Sequence, residues 1–185
     1  MRDVVLYTLL SLDGVAEEPG NWMFEADEDV FTNLAEVIRP QDDILLGRGT
    51  YDYWVEYWPT SDVQPFADFI NGTTKHVFTS SAPSLPWPGT TLVEGDAAPY
   101  VERLKEGKGG DIGVHGSIRL AQSLLAADLV DRLELVVVPT LAGTGRRLFV
   151  DDADLRRLTL TRSMQSSSGC VFLRYQRFSG KSVTG

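Results

Sequence analysis

The segment Asp111-Ile-Gly-Val-His-Gly-Ser-Ile-Arg-Leu-Ala-Gln-Ser-Leu-Leu125 carries the clearest chemical signal in the chain. A short apolar strand bends at Gly116-Ser117 and continues as a helix with Ile118, Leu120, Ala121, Leu124 and Leu125 on one side. Such a bend frees backbone N–H groups at a helix start, where the macrodipole also favours negative charge. That combination holds phosphate; ordinary turn and cap chemistry is the alternative. Two further strand ends have the same character, Gly47-Arg-Gly-Thr50 and Thr79-Ser-Ser81. Ligands of open α/β sheets collect at the carboxyl ends of the strands. Three such ends in register suit an extended phosphorylated ligand, with helix starts for a pyrophosphate and hydroxyls plus an arginine for a ribose phosphate. Arg48 fits a phosphate through its planar fork of donors. Each site alone also reads as a surface arginine or turn-forming serines.

The elements that must position these residues follow from periodicity and punctuation. Val4–Leu10 is a buried strand, followed by the turn signal Asp13-Gly14. Val15–Ala26 is a long loop of the kind that serves as a lid. A helix begins at Asp27, with Val30, Phe31, Leu34 and Ile38 on one apolar face, and ends at Pro40. Asp43–Gly47 is a strand running into a short helix, Arg48–Trp54, and Pro65–Ile70 is another short helix. Lys75–Thr79 and Thr90–Val93 are strands, Ala97–Lys105 a helix, and Asp131–Val138 a strand stopped by Pro139. Leu155–Arg162 and Gly169–Phe178 read as a terminal hairpin through Ser166-Ser-Ser-Gly169. Alternation first and antiparallel pairing last implies a mixed sheet with helices on its faces. Residues 1–180 form one domain and 181–185 a loose tail.

Composition narrows the function classes. A net charge of −9 over 185 residues argues against a nucleic-acid binder. No apolar run reaches a membrane span and the chain enters a strand at once, so a cytoplasmic protein is expected. The single Cys170, in Gly-Cys-Val-Phe-Leu, reads as buried strand and excludes an internal disulfide. His76 and His115 are too few and too isolated for a metal centre, and read as satisfied structural residues. Neither the glycine-rich dinucleotide fingerprint nor the P-loop is present.

Leu-Gly-Arg-Gly-Thr-Tyr (46–51), Thr-Ser-Ser (79–81), and Val-His-Gly-Ser followed by a helix and Leu-Val-Asp-Arg-Leu-Glu-Leu occur in that order. Together with Ser11-Leu-Asp-Gly14 and Pro139-Thr-Leu-Ala-Gly-Thr-Gly-Arg-Arg-Leu-Phe149, they resemble the dihydrofolate reductase-like superfamily over nearly the whole chain. The branch is the one related to the reductase domain of the bifunctional riboflavin-biosynthesis deaminase–reductase. The resemblance implies an α/β, three-layer fold: a mixed, mostly parallel eight-stranded sheet with helices on both faces and a C-terminal antiparallel hairpin. It implies NADPH as hydride donor and a homodimer. Gly47, Arg48 and Thr50 would meet the cofactor phosphates, Arg48 favouring the 2′-phosphate. Thr79, Ser80 and Ser81 would lie along the adenosine ribose, and His115, Gly116, Ser117 and Ile118 would cradle the pyrophosphate.

Trp22-Met-Phe-Glu-Ala-Asp27 with Phe31 also matches the folate enzymes' loop tryptophan, helix-starting acid and aromatic one turn later. Reduction of a C=N bond leaves a nitrogen needing a proton, and a semi-buried Asp27 carboxylate would orient the heterocycle and help deliver it. A plain helix-start charge is the alternative for Asp27, and Asp29 is the second choice. Trp22, Phe31 and Tyr51 would wall the substrate pocket. Two departures stand out. Folate enzymes carry a glycine pair where this chain has His115-Gly116, and a threonine in the later strand where Leu135–Val138 is wholly apolar; the latter points away from pterin reduction. Arg146 and Arg147 would either grip a sugar phosphate or be solvated loop charges. The zinc-binding pattern of a deaminase domain is absent. The expected activity is an NADPH-dependent reduction of a small planar nitrogen heterocycle, like 5-amino-6-(5-phosphoribosylamino)uracil or a dihydropterin. The alternatives are a non-catalytic nucleotide-binding module, and a dimerisation domain pairing through Leu133–Val138 or the terminal hairpin.

Overall fold

The computed structural model describes residues 1–150 and 155–177. Strands β1 (Val4–Ser11), β2 (Gln41–Gly47), β3 (Thr74–Phe78), β4 (Thr90–Val93), β5 (Asp111–Val114), β6 (Arg132–Val138), β7 (Leu158–Gln165) and β8 (Val171–Arg177) form one sheet in the order β4-β3-β2-β5-β1-β6-β8-β7. The first six are parallel; β8 runs antiparallel to β6, and β7 to β8. This is the α/β arrangement expected, hairpin included. The expected ends of the hairpin at Phe178, of the domain at residue 180, and the tail 181–185 lie outside the described residues.

Side chains alternate across each strand and so supply two cores. Leu45 packs with Val101, Leu120 and Leu124 beneath helices α4 (Ala97–Glu106) and α5 (Ile118–Ala126). Its neighbours Ile44 and Leu46 face the other way, joining Tyr51, Val55, Phe66 and Ile70 of α2 (Arg48–Trp54) and α3 (Phe66–Gly72). Helix α1 (Glu28–Ile38) covers the rest of that face, where Val30 meets Trp22, Val136, Val138, Cys170 and Phe172. Each fully buried aliphatic side chain contributes about 1.5–3 kcal/mol.

Two features depart from the periodicity. The buried stripe of α1 is Val30, Asn33, Val37 and Ile38, with Phe31 and Leu34 left half-exposed. Leu34 still packs against the cluster of Ile44, Tyr51 and Phe66 from the margin of the helix face. Strand β6 is interior, between β1 and β8, so Leu133–Val138 offers no free edge for pairing across chains; the outer strand is β7, exposed along nearly all its length.

Candidate functional site

The three strand ends singled out by residue type come together. The Gly47 N–H donates to the Gly116 carbonyl at 3.1 Å. A Cβ on Gly47 would stand 2.3 Å from Ser117 Oγ, and one on Gly116 would stand 2.8 Å from Thr50 Oγ1. Only glycine lets the ends of β2 and β5 abut so closely, and Gly116 adds a φ of +153° that disfavours any side chain. The peptide between Gly116 and Ser117 is cis.

Arg48 ties the second and third ends together. Its Nε meets both Asp52 oxygens at 2.8 and 2.7 Å, and Nη1 reaches Thr79 Oγ1, the Ser81 carbonyl and Ser81 Oγ. Thr79 Oγ1 in turn donates to the Ser81 carbonyl and accepts from its N–H. Nη2 has no partner among the described residues. The guanidinium is thus held in one orientation with donors to spare, and Asp52 offsets part of its charge. Ser80 is exposed beside it.

At the start of α5, Ser117 Oγ accepts from the Leu120 N–H, leaving the amides before it without intrahelical acceptors. This turn borders a cleft of about 560 Å³ lined by Ile118, Arg119, Gln122, Arg146, Arg147 and Phe149 among others. Sequence reasoning passed over Arg119. A signal was there: a cation in the first turn opposes the helix dipole. Arg119 is exposed, with no side-chain hydrogen bond or ion pair among the described residues, so the misfit is not relieved within the chain. Of the three arginines here, Arg146 pairs with Glu17 and Arg147 with Asp13, which leaves Arg119 as the cation without a carboxylate partner among the described residues.

A slot opens next to this edge. Strand β1 pairs with β6 along its whole length from Val5 to Ser11, but with β5 only over Val4–Leu6. Pairing stops at Leu6 because β5 ends at Val114, and Tyr7, Thr8 and Leu9 of this central strand are partly exposed. A central strand covered on both faces is otherwise buried, so the exposure marks an opening. Two loops border it, fastened together. Val15 forms an antiparallel bridge with Arg147, and the Ala16 N–H donates to the Arg146 carbonyl. Asp13 accepts from Ser11 Oγ and from the amides of Ala142 and Gly143, bonds that lower its pKa to about 2. Glu17 accepts from the Arg146 amide and guanidinium, which hold its carboxyl below the usual range. Arg147 Nε donates to the Asp13 carbonyl. Arg146 and Arg147 are therefore latch residues as well as cleft lining, not free solvated charges.

Other candidates sit elsewhere. Asp27 is the N-cap of α1: Oδ1 accepts from the Val30 N–H at 3.0 Å, while Oδ2 accepts from the Ser168 N–H at 2.7 Å and Ser167 Oγ at 3.0 Å. Asp29 accepts from the Ser167 N–H. Both acids bolt α1 to the β7–β8 turn. Partial burial raises the Asp27 pKa, but the bonds from Ser168, Val30 and Ser167 outweigh it and hold the carboxyl well below the carboxylate range. A carboxyl so held is a weak proton donor at neutral pH, so the geometry favours the capping reading over proton delivery. Trp22 is 4% exposed, packs in the core and donates from Nε1 to the Glu17 carbonyl; Tyr51 is 1% exposed and donates to the Leu85 carbonyl. Tyr51 is a core residue; Trp22, though buried, also borders a cleft of about 390 Å³ with Glu17, Glu18, Asn21, Ala142, Thr144 and Gly145, and Phe31 remains half-exposed. His115 turns its ring away from the phosphate cradle, toward Gln41, Phe66 and Phe69. His76 is satisfied by Asp43 and Tyr100, both at 2.7 Å. Among the described residues no cluster of His, Cys, Asp and Glu could hold a metal, and no helix is long and apolar enough to cross a membrane.

The sheet order, the late antiparallel hairpin and the converging strand ends define a dihydrofolate reductase-like α/β fold. Within that class, the chain belongs to the RibD C-terminal domain family, whose model matches residues 2–172. It is a reductase-like domain of the riboflavin-pathway type. The uncharacterized protein YwjB of Bacillus subtilis is 30% identical over 179 residues, covering 95% of this chain and 98% of that one. A solved structure described as a riboflavin biosynthesis protein from Shewanella sp. PV-4 superposes with a TM-score of 0.77 at 18% identity, covering 95% of this chain and 99% of the other. Dihydrofolate reductase from Enterococcus faecalis, solved with NADP(H) and the compound RAB-propyl, gives a TM-score of 0.65 at 14% identity, covering 95% and 96%.

Proposed function

We propose that this protein is an NADPH-dependent reductase of a small planar nitrogen heterocycle, of the aminopyrimidine kind. The observation that carries the reading is the partly exposed stretch of β1 past the end of β5, beside the three converged strand ends: a flat ring would lie there while phosphates meet the cradle. The residues fit the cofactor. Arg48, oriented by Asp52, Thr79 and Ser81, offers Nη2 to a ribose phosphate. The free amides at the α5 start, with Arg119 beside them, suit a pyrophosphate. Gly49, with nothing within 4 Å of a Cβ position, leaves the backbone there open to approach. When bound, NADPH supplies the hydride. The chain's own work is to bind, to orient and to keep water from the slot beneath the latched loops. Asp27 is assigned to anchoring α1 and the hairpin.

The test is NADPH oxidation against a panel of aminouracils and dihydropterins, with NADPH and NADH titrations alongside. Turnover of at least one aminouracil and tighter binding of NADPH are expected; no NADPH binding at millimolar concentration would overturn the reading. The engaged, ionised state of Asp27 favours a second reading, a nucleotide-binding module without turnover. NADPH binding with no oxidation across the panel would select it. We further infer a homodimer pairing through the open edge of β7, where Leu158, Leu160 and Met164 are exposed. Light scattering should give twice the chain mass, and Leu160→Lys should halve it; a monomeric wild type removes the inference.

A further inference from the structure

On the sheet face beneath α1, polar groups stand in an arrangement that cofactor binding does not use. Gln41, 6% exposed, runs up this face across Gly113, where a Cβ would stand 2.0 Å from Gln41 Oε1 and 2.8 Å from His115 Nε2. The missing side chain at 113 is the channel in which Gln41 lies. Gln41 Nε2 donates to the Val37 carbonyl at 3.1 Å, which turns Oε1 toward His115 Nε2 at 2.7 Å. An amide oxygen only accepts, so the imidazole proton sits on Nε2 and the lone pair on Nδ1. Nδ1 has no partner among the described residues. Burial pushes the His115 pKa down to about 3, so the ring is neutral at physiological pH.

Asn33 lies on the inward stripe of α1, one turn before Val37, and is 8% exposed. Its amide makes no hydrogen bond to another described residue. The amide reaches solvent rather than being sealed in, from a stripe whose other members are Val30, Val37 and Ile38. Gln41 ties the carbonyl of Val37, one helical turn after Asn33, to the His115 imidazole, and His115 lies at the slot. His115 and Tyr7 are the first residues past the last β1–β5 pair, their ring centroids 6.0 Å apart. Phe66 and Phe69 lie 5.4 and 5.5 Å from the imidazole. Apolar walls with neutral hydrogen-bonding groups select an uncharged flat ring.

We propose that His115 Nδ1 and the Asn33 amide read the edge of the substrate ring, with Gln41 as the positioning residue that holds the imidazole in the required tautomer. His115 accepts from a ring N–H and Asn33 bonds an adjacent carbonyl, so the matching substrate is an uncharged heterocycle with an amide-type edge. The inference rests on the reductase reading only for where that ring lies.

The test uses the full chain. Nitrogen-15 NMR of labelled histidine reports the His115 tautomer, and calorimetry compares 6-aminouracil with its 1,3-dimethyl derivative, which lacks the ring N–H donors. The Nε2–H tautomer is expected, and dimethylation should weaken binding roughly tenfold or more. His115→Phe, which suits the aromatic surroundings, should bind both probes within about twofold, and His115→Gln should restore part of the preference. Gln41→Leu should mix the tautomers and reduce discrimination while NADP⁺ affinity holds; Asn33→Ala should weaken 6-aminouracil several-fold. An Nδ1–H tautomer in the wild type, failure of 6-aminouracil to bind, or discrimination surviving in His115→Phe would each overturn the assignment. Intact discrimination without NADP⁺ binding would support it and sink the reductase reading alone.

Discussion

The two ends of the sheet handle charge in opposite ways. At the amino ends, charges that enter the interior are met within the chain: Lys75, 0% exposed, donates to the Ile70 and Thr73 carbonyls, and the others meet side chains. Arg2 pairs with Asp42 and Asp43, Asp43 with His76, and His76 with Tyr100. Lys105, 5% exposed, pairs with Asp131, which also accepts from the Val4 amide and from Arg177. Arg132 joins Asp111 and Glu134, and Glu134 joins Arg174. At the carboxyl ends Arg146 pairs with Glu17 and Arg147 with Asp13, but among the described residues Arg48 keeps Nη2 free and Arg119 stands unpaired at a helix start. Closed networks hold the fold together; on the proposed reading the unfinished groups receive a ligand. The same residue types, differently completed, mark which end does which.

That contrast can be broken from either side. The largest effect is expected at the closed end: Asp131→Ala leaves the Lys105 ammonium buried without its partner and should cost about 3 kcal/mol in urea unfolding, with cofactor titration unchanged. A loss of NADPH affinity in the folded variant would erase the division between the ends. Next, Arg48→Ala should weaken NADPH ten- to a hundred-fold, about 1.4–3 kcal/mol, and NADH less than threefold. Equal losses would remove the phosphate contact. Arg119→Ala should weaken both cofactors alike, about fivefold, while raising apo stability by about 0.3–1 kcal/mol because a cation leaves the positive end of the dipole. A drop in apo stability would contradict that account. The smallest effect concerns acid. Asp13 and Asp27 have folded pKa values below their unfolded ones, so their contribution is complete above about pH 4. It is lost as pH falls through the folded value, about 2 for Asp13. Asp13→Asn and Asp27→Asn should flatten the acid limb between about pH 4 and 2 and leave pH 7 turnover nearly unchanged; a large rate loss in Asp27→Asn would return that residue to the chemistry.

Much of the architecture was legible because local punctuation and periodicity determine it. Arg48–Trp54 and Thr90–Val93 have the bounds read from the chain, and glycine at 47 and 116 announced where strand ends meet. What stayed hidden was set by distant partners. The ligands of Asp27 are serines about 140 positions later, brought over by a hairpin turn. Tyr51, expected as a pocket wall, is core because an aromatic residue does not declare which side of a helix it occupies. Helix α1 was read with Phe31 and Leu34 inward, since periodicity equates the apolar face with the buried one. The buried stripe instead runs through Val30, Asn33, Val37 and Ile38, with Phe31 and Leu34 at its margin. His115 belonged to the cradle by chain position, yet strand alternation sends its ring to the other face.

The bridge between Val15 and Arg147 has a kinetic consequence. The two borders of the entrance, more than a hundred residues apart along the chain, share backbone pairing and so cannot swing separately. Entry and exit at the slot must proceed by displacement of both as one panel, and a spectroscopic label on residue 18 or on residue 144 would register the same opening rate.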